Sequence, residues 1–448
     1  MGSAELVIVG GGISGLSLAY FLLKKNPQLD LRIIEAEKKV GGKIVTENIS
    51  GFLCEGGVNG FLNNKLSTLS LASELNIEPI KGSDNSKVRY LLIDGKMTKV
   101  PENPIKFFLS PILSISGKIR MLKEYFVAPV KEHTDETVES FVTRRVGREF
   151  YEKLIDALST GIYAGDPSKM SMKSCFSKVY WLEKKYGGLI RGLIALRKER
   201  KDVKVQPSVV LMSFKTGMAE LVYSLECNLS SKIIKGNRVI GITKQNSYYS
   251  VYLENGDIFE SEKVVLSCPA YETAEILKEL NKEISDILKT IPYPPLSVVA
   301  FGFKKEQIGF GTSLYGFLIP YREKRKILGT LFDSSIFPNR APEGYVLLRS
   351  MIGGRRAPEL AMLSDENLTE TVLRELKSIL NIKGDPEFVK IFRWEKAIPQ
   401  YELGHEDKLN RIDTILNKFP GLYLTGNAYR GVSVNDCIEN SLKLAEKI

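Results

Sequence analysis

Glycines, one carboxylate and a few lysines are the residues of this chain whose types and spacing could do chemistry. Near the N-terminus, Glu5-Leu-Val-Ile-Val9 leads into Gly10-Gly11-Gly12-Ile13-Ser14-Gly15, and an apolar stretch follows from Leu16 to Leu23. A buried strand, a glycine turn and a helix in this order form a phosphate cradle. Gly10 permits the tight turn, Gly12 lets the backbone approach a pyrophosphate, and Gly15 lets the helix pack close on the strand. The helix starts at Ile13 and Ser14, and its free N–H groups and positive dipole end suit phosphate oxygens. A second strand, Leu31-Arg-Ile-Ile34, ends at Glu35, twenty residues past Gly15. A carboxylate there can hold the ribose hydroxyls of a dinucleotide.

The stretch after that acid extends the pattern. Glu35-Ala36-Glu-Lys-Lys39-Val-Gly41-Gly42-Lys43 sets a glycine pair and three lysines beside the ribose position. Paired glycines let a loop lie flat against a ligand, and Lys39 and Lys43 can sit near phosphate charge. More than 400 residues later, Gly421-Leu-Tyr-Leu-Thr-Gly426-Asn427-Ala-Tyr-Arg430-Gly431-Val432-Ser-Val434-Asn435-Asp436 is again a strand, a glycine turn and a helix start. A dinucleotide that needs both ends of a chain points to FAD rather than NAD.

The elements that must hold these residues follow from periodicity. Tyr90 to Val100 predicts a hairpin turning at Asp94-Gly95. Residues 104–204 read as mostly helical. Strand pairing resumes at Val239–Lys244 and Ser250–Leu253, with Asn255-Gly256 as a hairpin turn. Lys263–Ser267 reads as a buried strand, and residues 295–352 alternate like a sheet. The expected architecture is α/β: a Rossmann-like FAD-binding domain, a mixed-sheet substrate domain and a helical membrane-binding insertion. The FAD-binding domain takes residues 1–75, 205–270 and 386–448. The substrate domain takes 76–103 and 271–385, and the helical domain 104–204.

Composition sets bounds. A chain of 448 residues exceeds one typical core. The five cysteines are scattered, without a C-x-x-C, as suits reduced thiols in a cytosolic compartment. The only histidines, His133 and His405, argue against a histidine metal centre or a histidine-based triad; no metal site is expected, and each histidine reads as structural or surface. No apolar run reaches about 18 residues, so no membrane-crossing helix is expected. Cleavage of a signal peptide would remove the first cofactor motif, so export is not expected. The net charge of +10 suits an anionic partner, membrane surface or carboxylate substrate ahead of nucleic acid, for which no motif appears; a lysine-rich solvated surface gives the same excess. Two stretches could lie on a membrane: Ile105–Ile115 followed by Lys118, Arg120 and Lys123, and Val179–Leu182 with Gly188–Arg197, Lys198, Arg200 and Lys201. A helix packed on its own core gives the same pattern.

With these residues in hand, the chain resembles the oxygen-dependent protoporphyrinogen oxidase family, within the FAD-dependent superfamily of flavin monooxygenases and amine oxidases. The resemblance covers nearly the whole length. It is carried by Gly51-Phe-Leu-Cys-Glu-Gly-Gly-Val-Asn59-Gly-Phe61, Thr160-Gly161-Ile-Tyr-Ala-Gly165-Asp166-Pro167, Leu328-Gly-Thr-Leu-Phe332, Phe392-Arg-Trp394 through Gln400 to His405, and Gly426-Asn-Ala-Tyr-Arg-Gly-Val432. It implies non-covalent FAD and a porphyrinogen substrate oxidised by six electrons in three two-electron steps, with oxygen regenerating the flavin and yielding hydrogen peroxide. It implies cofactor contacts at Val239, Trp394, Gly426, Asn427, Gly431, Val432 and Val434, with the last helix aimed at the flavin ring. Asn435 and Asp436 could instead simply cap that helix.

For the substrate, the resemblance implies apolar walls at Leu318 and Phe332 and close backbone approach at Gly161 and Gly165. Asn59 stands where some members carry an arginine for a substrate carboxylate, and Lys65 is the nearest replacement cation. It further implies a cytoplasmic enzyme peripheral on the cytoplasmic face of the cell membrane, and leaves room for a homodimer and for hand-off to a ferrochelatase. Three other readings stay open: a coproporphyrinogen oxidase of the same family, a flavin amine oxidase, and a non-catalytic relative that binds lipidated proteins. Amine oxidases commonly carry glutamate where Arg430 lies.

Overall fold

The computed structural model describes residues 2–130, 134–199 and 209–448. His133, Arg200 and Lys201 fall outside them. Two seven-stranded sheets organise the chain. In the first, Gly2–Val9 lies parallel between Leu31–Glu35 and Ile258–Leu266. Ile233–Lys235 extends one side, and Leu422–Leu424 pairs parallel with Ile258–Leu266. Successive residues of the central strand feed two cores. Leu6 and Ile8 pack with the helices Ile13–Lys25, Ala219–Leu229 and Val434–Lys447. Ala4, Val7 and Val9 pack with Ala270–Leu277, Lys282–Lys289 and His405–Leu416. Burial on both faces explains why this strand reads as an unbroken apolar run. The antiparallel strands Val239–Gln245 and Tyr248–Leu253 continue the sheet, joined to Ile258–Leu266 through the Asn255-Gly256 turn.

The second sheet runs in the order Phe388–Trp394, Leu296–Lys304, Tyr345–Gly353, Ile327–Phe332, Gly316–Leu318, Arg89–Ile93, Lys96–Lys99. The expected hairpin turns at Asp94 and Gly95, with φ of +49° and +73°, which a tight two-residue hairpin turn requires. One face of the sheet packs on the amphipathic helix Asp365–Leu380. On the other, Val298, Ala300, Leu347 and Phe392 meet Phe52 and Cys54 of a short hairpin, Thr46–Ile49 with Phe52–Glu55.

The region read as helical is helical, with Pro104–Leu109, Ile115–Leu122, Val138–Val146, Asp156–Tyr163, Ser177–Tyr186 and Leu189–Glu199 as its main elements. A buried Arg145 lies between Glu124 and Glu183. Glu124 also accepts the N–H groups of Leu189 and Ile190 at 2.7 and 2.9 Å, capping the last of these helices. Arg120, read as part of a basic rim, instead donates to the carbonyls of Thr143, Arg144 and Arg145 and caps Val138–Val146. Among the described residues no helix is long and apolar enough to cross a membrane.

Two boundaries differ from the sequence reading. Ala270–Leu277 and Lys282–Lys289 belong to the core of the first sheet through Ile291, so the second sheet's share starts after 291 rather than at 271. Phe388–Trp394 is an edge strand of the second sheet, so the return to the cofactor side comes after Trp394 rather than at 386. An amphipathic segment records that one face is buried but not which sheet buries it.

Candidate active site

The N-terminal turn is compressed where a cradle must be tight and open where a ligand must lie. Gly10 has φ +106°. A Cβ on Gly15 would run into the Gly10 carbonyl oxygen, whereas one on Gly12 would meet nothing within 4 Å. Gly12 caps the helix Ile13–Lys25 without a side-chain bond, and no acid sits in the first turn, so that helix end keeps its positive character. Glu35 ends its strand beside the turn. Its Oε2 accepts from Gly11 N–H at 2.6 Å and its Oε1 from Glu37 N–H at 2.8 Å. Asn237 N–H bonds to the Glu35 carbonyl at 3.1 Å, which brings the buried Val239 to this corner. Ala36 is half-buried and Lys39 exposed.

The glycine pair lies directly on this turn. Gly41 N–H donates to the Gly11 carbonyl at 2.8 Å, and a Cβ on Gly42 would be 3.7 Å from Gly12 Cα. Lys43 is turned inward. Its ammonium donates to the Ala397 carbonyl and lies 5.2 Å from the centre of the Tyr293 ring, and burial brings its pKa down to about 8.

Both ends of the chain meet at Ser267. Its hydroxyl lies 2.9 Å from the carbonyls of both Val9 and Gly10. A Cβ on Gly426, whose φ is +127°, would lie 3.6 Å from the Ser267 carbonyl oxygen. The last helix packs along the first, with Ser441 Oγ donating to the Ser14 carbonyl at 2.8 Å. After Gly431 and the half-buried Val432, Ser433 caps Val434–Lys447 in a reciprocal box with Asp436. Asp436 therefore takes the capping role and offsets part of the positive end that was expected to face the flavin. Asn435 does not cap; it donates to the Leu62 carbonyl at 2.7 Å and accepts from Thr68.

The residues read as substrate contacts separate into several environments. Gly161 is exposed between the exposed Leu158 and Ile162, and its Cβ would come within 2.8 Å of Leu318 Cδ2. That pair is brought together. Gly165 is buried and its Cβ would meet Gln400 Oε1 and Met170 Sδ at 2.6 and 2.7 Å, so packing alone accounts for it. Phe332 is fully buried between the sheet and the helix Asp365–Leu380 and offers no surface to a ligand. Strand alternation turns its neighbour Leu331 to the opposite face, paired with Arg349. Lys65 is committed to Glu439 and lies 3.9 Å from Asp436, so its charge is already answered. Asn59 holds both polar atoms of its amide buried without a hydrogen-bond partner. Buried polar groups are nearly always paired, so an orphan amide fits a ligand.

Sequence reasoning missed the framework around Asn59. The Arg349 guanidinium donates to Asp333 at 2.7 Å and to the carbonyls of Glu55 and Gly57. The Trp394 indole donates to the Gly56 carbonyl between them at 2.8 Å. Glu55, buried and bonded to Thr46 and Met218 N–H, has its pKa pushed up to about 7 by burial. The signal was present: Arg349 is a lone cation in the apolar strand Tyr345–Gly353. Also missed was Arg356, which clamps both Asp156 and Asp166 at the two ends of the Gly161 segment. His405 is buried, and its Nε2 lies 3.2 Å from the Tyr429 carbonyl, a structural role.

Comparison with known proteins agrees with this geometry. The family of flavin containing amine oxidoreductases matches residues 13–448. Coproporphyrinogen III oxidase of Bacillus subtilis (strain 168) is 32% identical over 98% of this chain and 96% of its own length. The chloroplastic protoporphyrinogen oxidase of Oryza sativa subsp. japonica is 35% identical over 100% of this chain and 88% of its own length. A solved structure from Exiguobacterium sp. 255-15, assigned as a protoporphyrinogen oxidase, superposes with a TM-score of 0.84 at 25% identity, covering 100% of this chain and 98% of that one. Reduced UDP-galactopyranose mutase superposes at 0.76 with 16% identity, over 99% of this chain and 95% of that one, and shares the fold. A dinucleotide cradle closed from both ends of the chain and a family match over nearly its whole length lead to one conclusion: the chain belongs to the flavin-containing amine oxidoreductase family and is an FAD-dependent oxidoreductase.

Proposed function

We propose that this enzyme oxidises protoporphyrinogen IX to protoporphyrin IX, with three molecules of oxygen reduced to three of hydrogen peroxide. The observation that carries the reading is the end-to-end similarity to plant protoporphyrinogen oxidases, at 34–35% identity over the full chain. FAD supplies the two-electron acceptor, and the chain supplies binding and orientation. Gly12 and the first helix end receive the pyrophosphate, and Glu35 receives the ribose hydroxyls. Gly426, Asn427 and Gly431 close the cradle from the C-terminal side. Leu318 and the exposed face of Leu158, Gly161 and Ile162 offer an apolar wall to a macrocycle. Asn59 offers one donor group and one acceptor, enough to orient a propionate without supplying charge.

A specific observation favours a second reading. The B. subtilis coproporphyrinogen III oxidase is matched along nearly all of its length, more completely than the plant enzymes. Both substrates are therefore to be supplied in parallel to purified yellow protein in air, with flavin-free protein as the blank. Faster red fluorescence from protoporphyrinogen supports the proposal. A preference for the four-carboxylate substrate replaces it with the second reading, and no flavin-dependent oxidation of either sinks both.

Peripheral contact with the cytoplasmic face of a membrane belongs to the same proposal. Ile105, Leu109, Ile115 and Phe126 are each more than 70% exposed, an unusual density of large apolar groups on one helical region. Basic residues sit among them: Lys118 lies over Phe108, and Arg191 over Tyr125. Apolar residues rimmed by cations suit an anionic lipid interface. Co-sedimentation with phosphatidylglycerol vesicles, lost in a double Ile115→Glu, Phe126→Glu variant, is the expected outcome; no sedimentation of the native protein overturns it.

A further inference from the structure

The loop 426–431 begins and ends on glycines at positive φ, Gly426 at +127° and Gly431 at +109°. No strand or helix fixes the backbone between them. It is braced instead by side chains from elsewhere. The Tyr401 hydroxyl donates to the Asn427 carbonyl at 2.5 Å and accepts from Gly431 N–H at 3.0 Å. One oxygen atom thus spans the loop from its first residues to its last. The His405 ring stacks on Tyr401 with centroids 4.2 Å apart, and the Tyr429 carbonyl, which can only accept, accepts a hydrogen bond from His405 Nε2–H at 3.2 Å. Asn440 donates to the Arg430 carbonyl at 2.7 Å.

Tyr401 is itself rigidly mounted. It is 1% exposed. Its own carbonyl accepts from Ser171 N–H at 2.8 Å, and the neighbouring Gln400 amide donates to the Tyr163 carbonyl at 2.9 Å. The same segment receives the Lys43 ammonium at the Ala397 carbonyl.

We propose that Tyr401 is a positioning residue that sets the span of loop 426–431 and, through that loop, the affinity and electronic environment of the bound flavin. The proposal rests on the reading that this loop contacts FAD. Its physical basis is that both groups bridged by Tyr401 are main-chain groups of a single loop, held by a side chain that is itself buried. Without the hydroxyl, an N–H and a C=O are left unpaired, and the cheapest relief is for the loop to move until water reaches them.

The test compares Tyr401→Phe with Tyr249→Phe. Tyr249 is fully buried in the core that Val7 and Val9 share with Ala270–Leu277, and its hydroxyl donates to the Pro420 carbonyl at 2.9 Å, outside the loop. FAD is titrated into flavin-free protein, and the flavin absorption spectrum and the Tm of the flavin-free protein are recorded. Tyr401→Phe is expected to weaken FAD binding by about tenfold or more and to shift the flavin absorption bands. Tyr249→Phe is expected to lower Tm similarly while keeping FAD affinity within about twofold of the wild type. Wild-type affinity and spectrum in Tyr401→Phe, or equal losses in the two variants, overturn the proposal. Should Tyr401→Phe fail to accumulate as folded protein, His405→Gln, which removes the stacked ring but keeps an N–H donor, is expected to weaken FAD by about threefold; no loss there overturns it. Wild-type protein that takes up no FAD overturns the underlying reading instead, and is seen before any variant is made.

Discussion

A side chain at Gly15 and a side chain at Gly161 would both meet close neighbours, but of opposite kinds. A methyl group on Gly15 would strike the Gly10 main chain, which cannot move without opening the turn. A methyl group on Gly161 would meet the two terminal methyls of Leu318, the far end of a half-buried side chain rather than main chain. On the proposed assignment, the cofactor side is built from main chain at Gly15 and the substrate side from the ends of a side chain at Gly161. Such an arrangement lets substrate preference change by single substitutions while flavin binding stays intact.

The largest expected effect tests the main-chain framework at its most distant support. Arg349→Leu leaves Asp333 buried without its partner and frees the carbonyls of Glu55 and Gly57. Losing one member of a buried pair costs about 3–5 kcal/mol, to be read from urea denaturation. A loss under about 1 kcal/mol would mean that the loop bearing Asn59 is held by Trp394 and packing alone.

Gly15→Ala comes next, at about 1–3 kcal/mol for an overpacked site, with flavin lost on gel filtration. Its companion is Gly12→Ala, where nothing stands within 4 Å and φ is −75°. The flavin-free variant should keep its stability to within about 0.5 kcal/mol, yet bind FAD more weakly. Equal destabilisation of both apoproteins would erase the distinction between a glycine needed for packing and one needed for the ligand.

Gly161→Ala is smaller again. FAD affinity should be native while KM for the porphyrinogen rises by about two- to fivefold as Leu318 is pushed across the wall, in line with a modest change of apolar contact. An altered FAD affinity would show that the two sides are not separable.

The smallest effect at neutral pH, and a visible one in acid, belongs to His405. Burial brings its pKa down to about 4. The unfolded chain takes up this proton near the ordinary value of about 6.5, so the unfolded state binds more protons between those two values. Stability from this group is therefore intact above pH 6.5 and is lost as pH falls toward 4. Glu55, whose carboxyl is pushed up to about 7 by burial, gives the opposite slope over this range, so the check is the difference between wild type and His405→Gln: the wild type should lose stability relative to the variant as pH falls from 7 to 4.5.

What was legible in the sequence follows the same division. Gly10, Gly12, Gly15 and Glu35 could be read because their roles are local: a turn, a helix start and a strand end within one βαβ unit. The pairing of the chain's two ends could be read because the same pattern occurs twice. Phe332 could not, since alternation separates it from Leu331 without saying which face a helix covers. Lys65 looked free because its partner Glu439 is 374 positions away. Tyr401 stood inside a conspicuous segment, Gln400 to His405, but an aromatic residue there gives no sign that its hydroxyl rather than its ring is used.

The contact between Ser14 and Ser441 has a consequence for how the protein is made. Multidomain chains generally fold their N-terminal part first during synthesis. Here the first helix leaves the ribosome early, while the helix that covers it arrives 427 positions later. The part of its face that Val434–Lys447 covers is therefore completed only after residue 441 has been made, although Ala219–Leu229 can pack on the same helix earlier, and the cradle for FAD is finished no sooner than that.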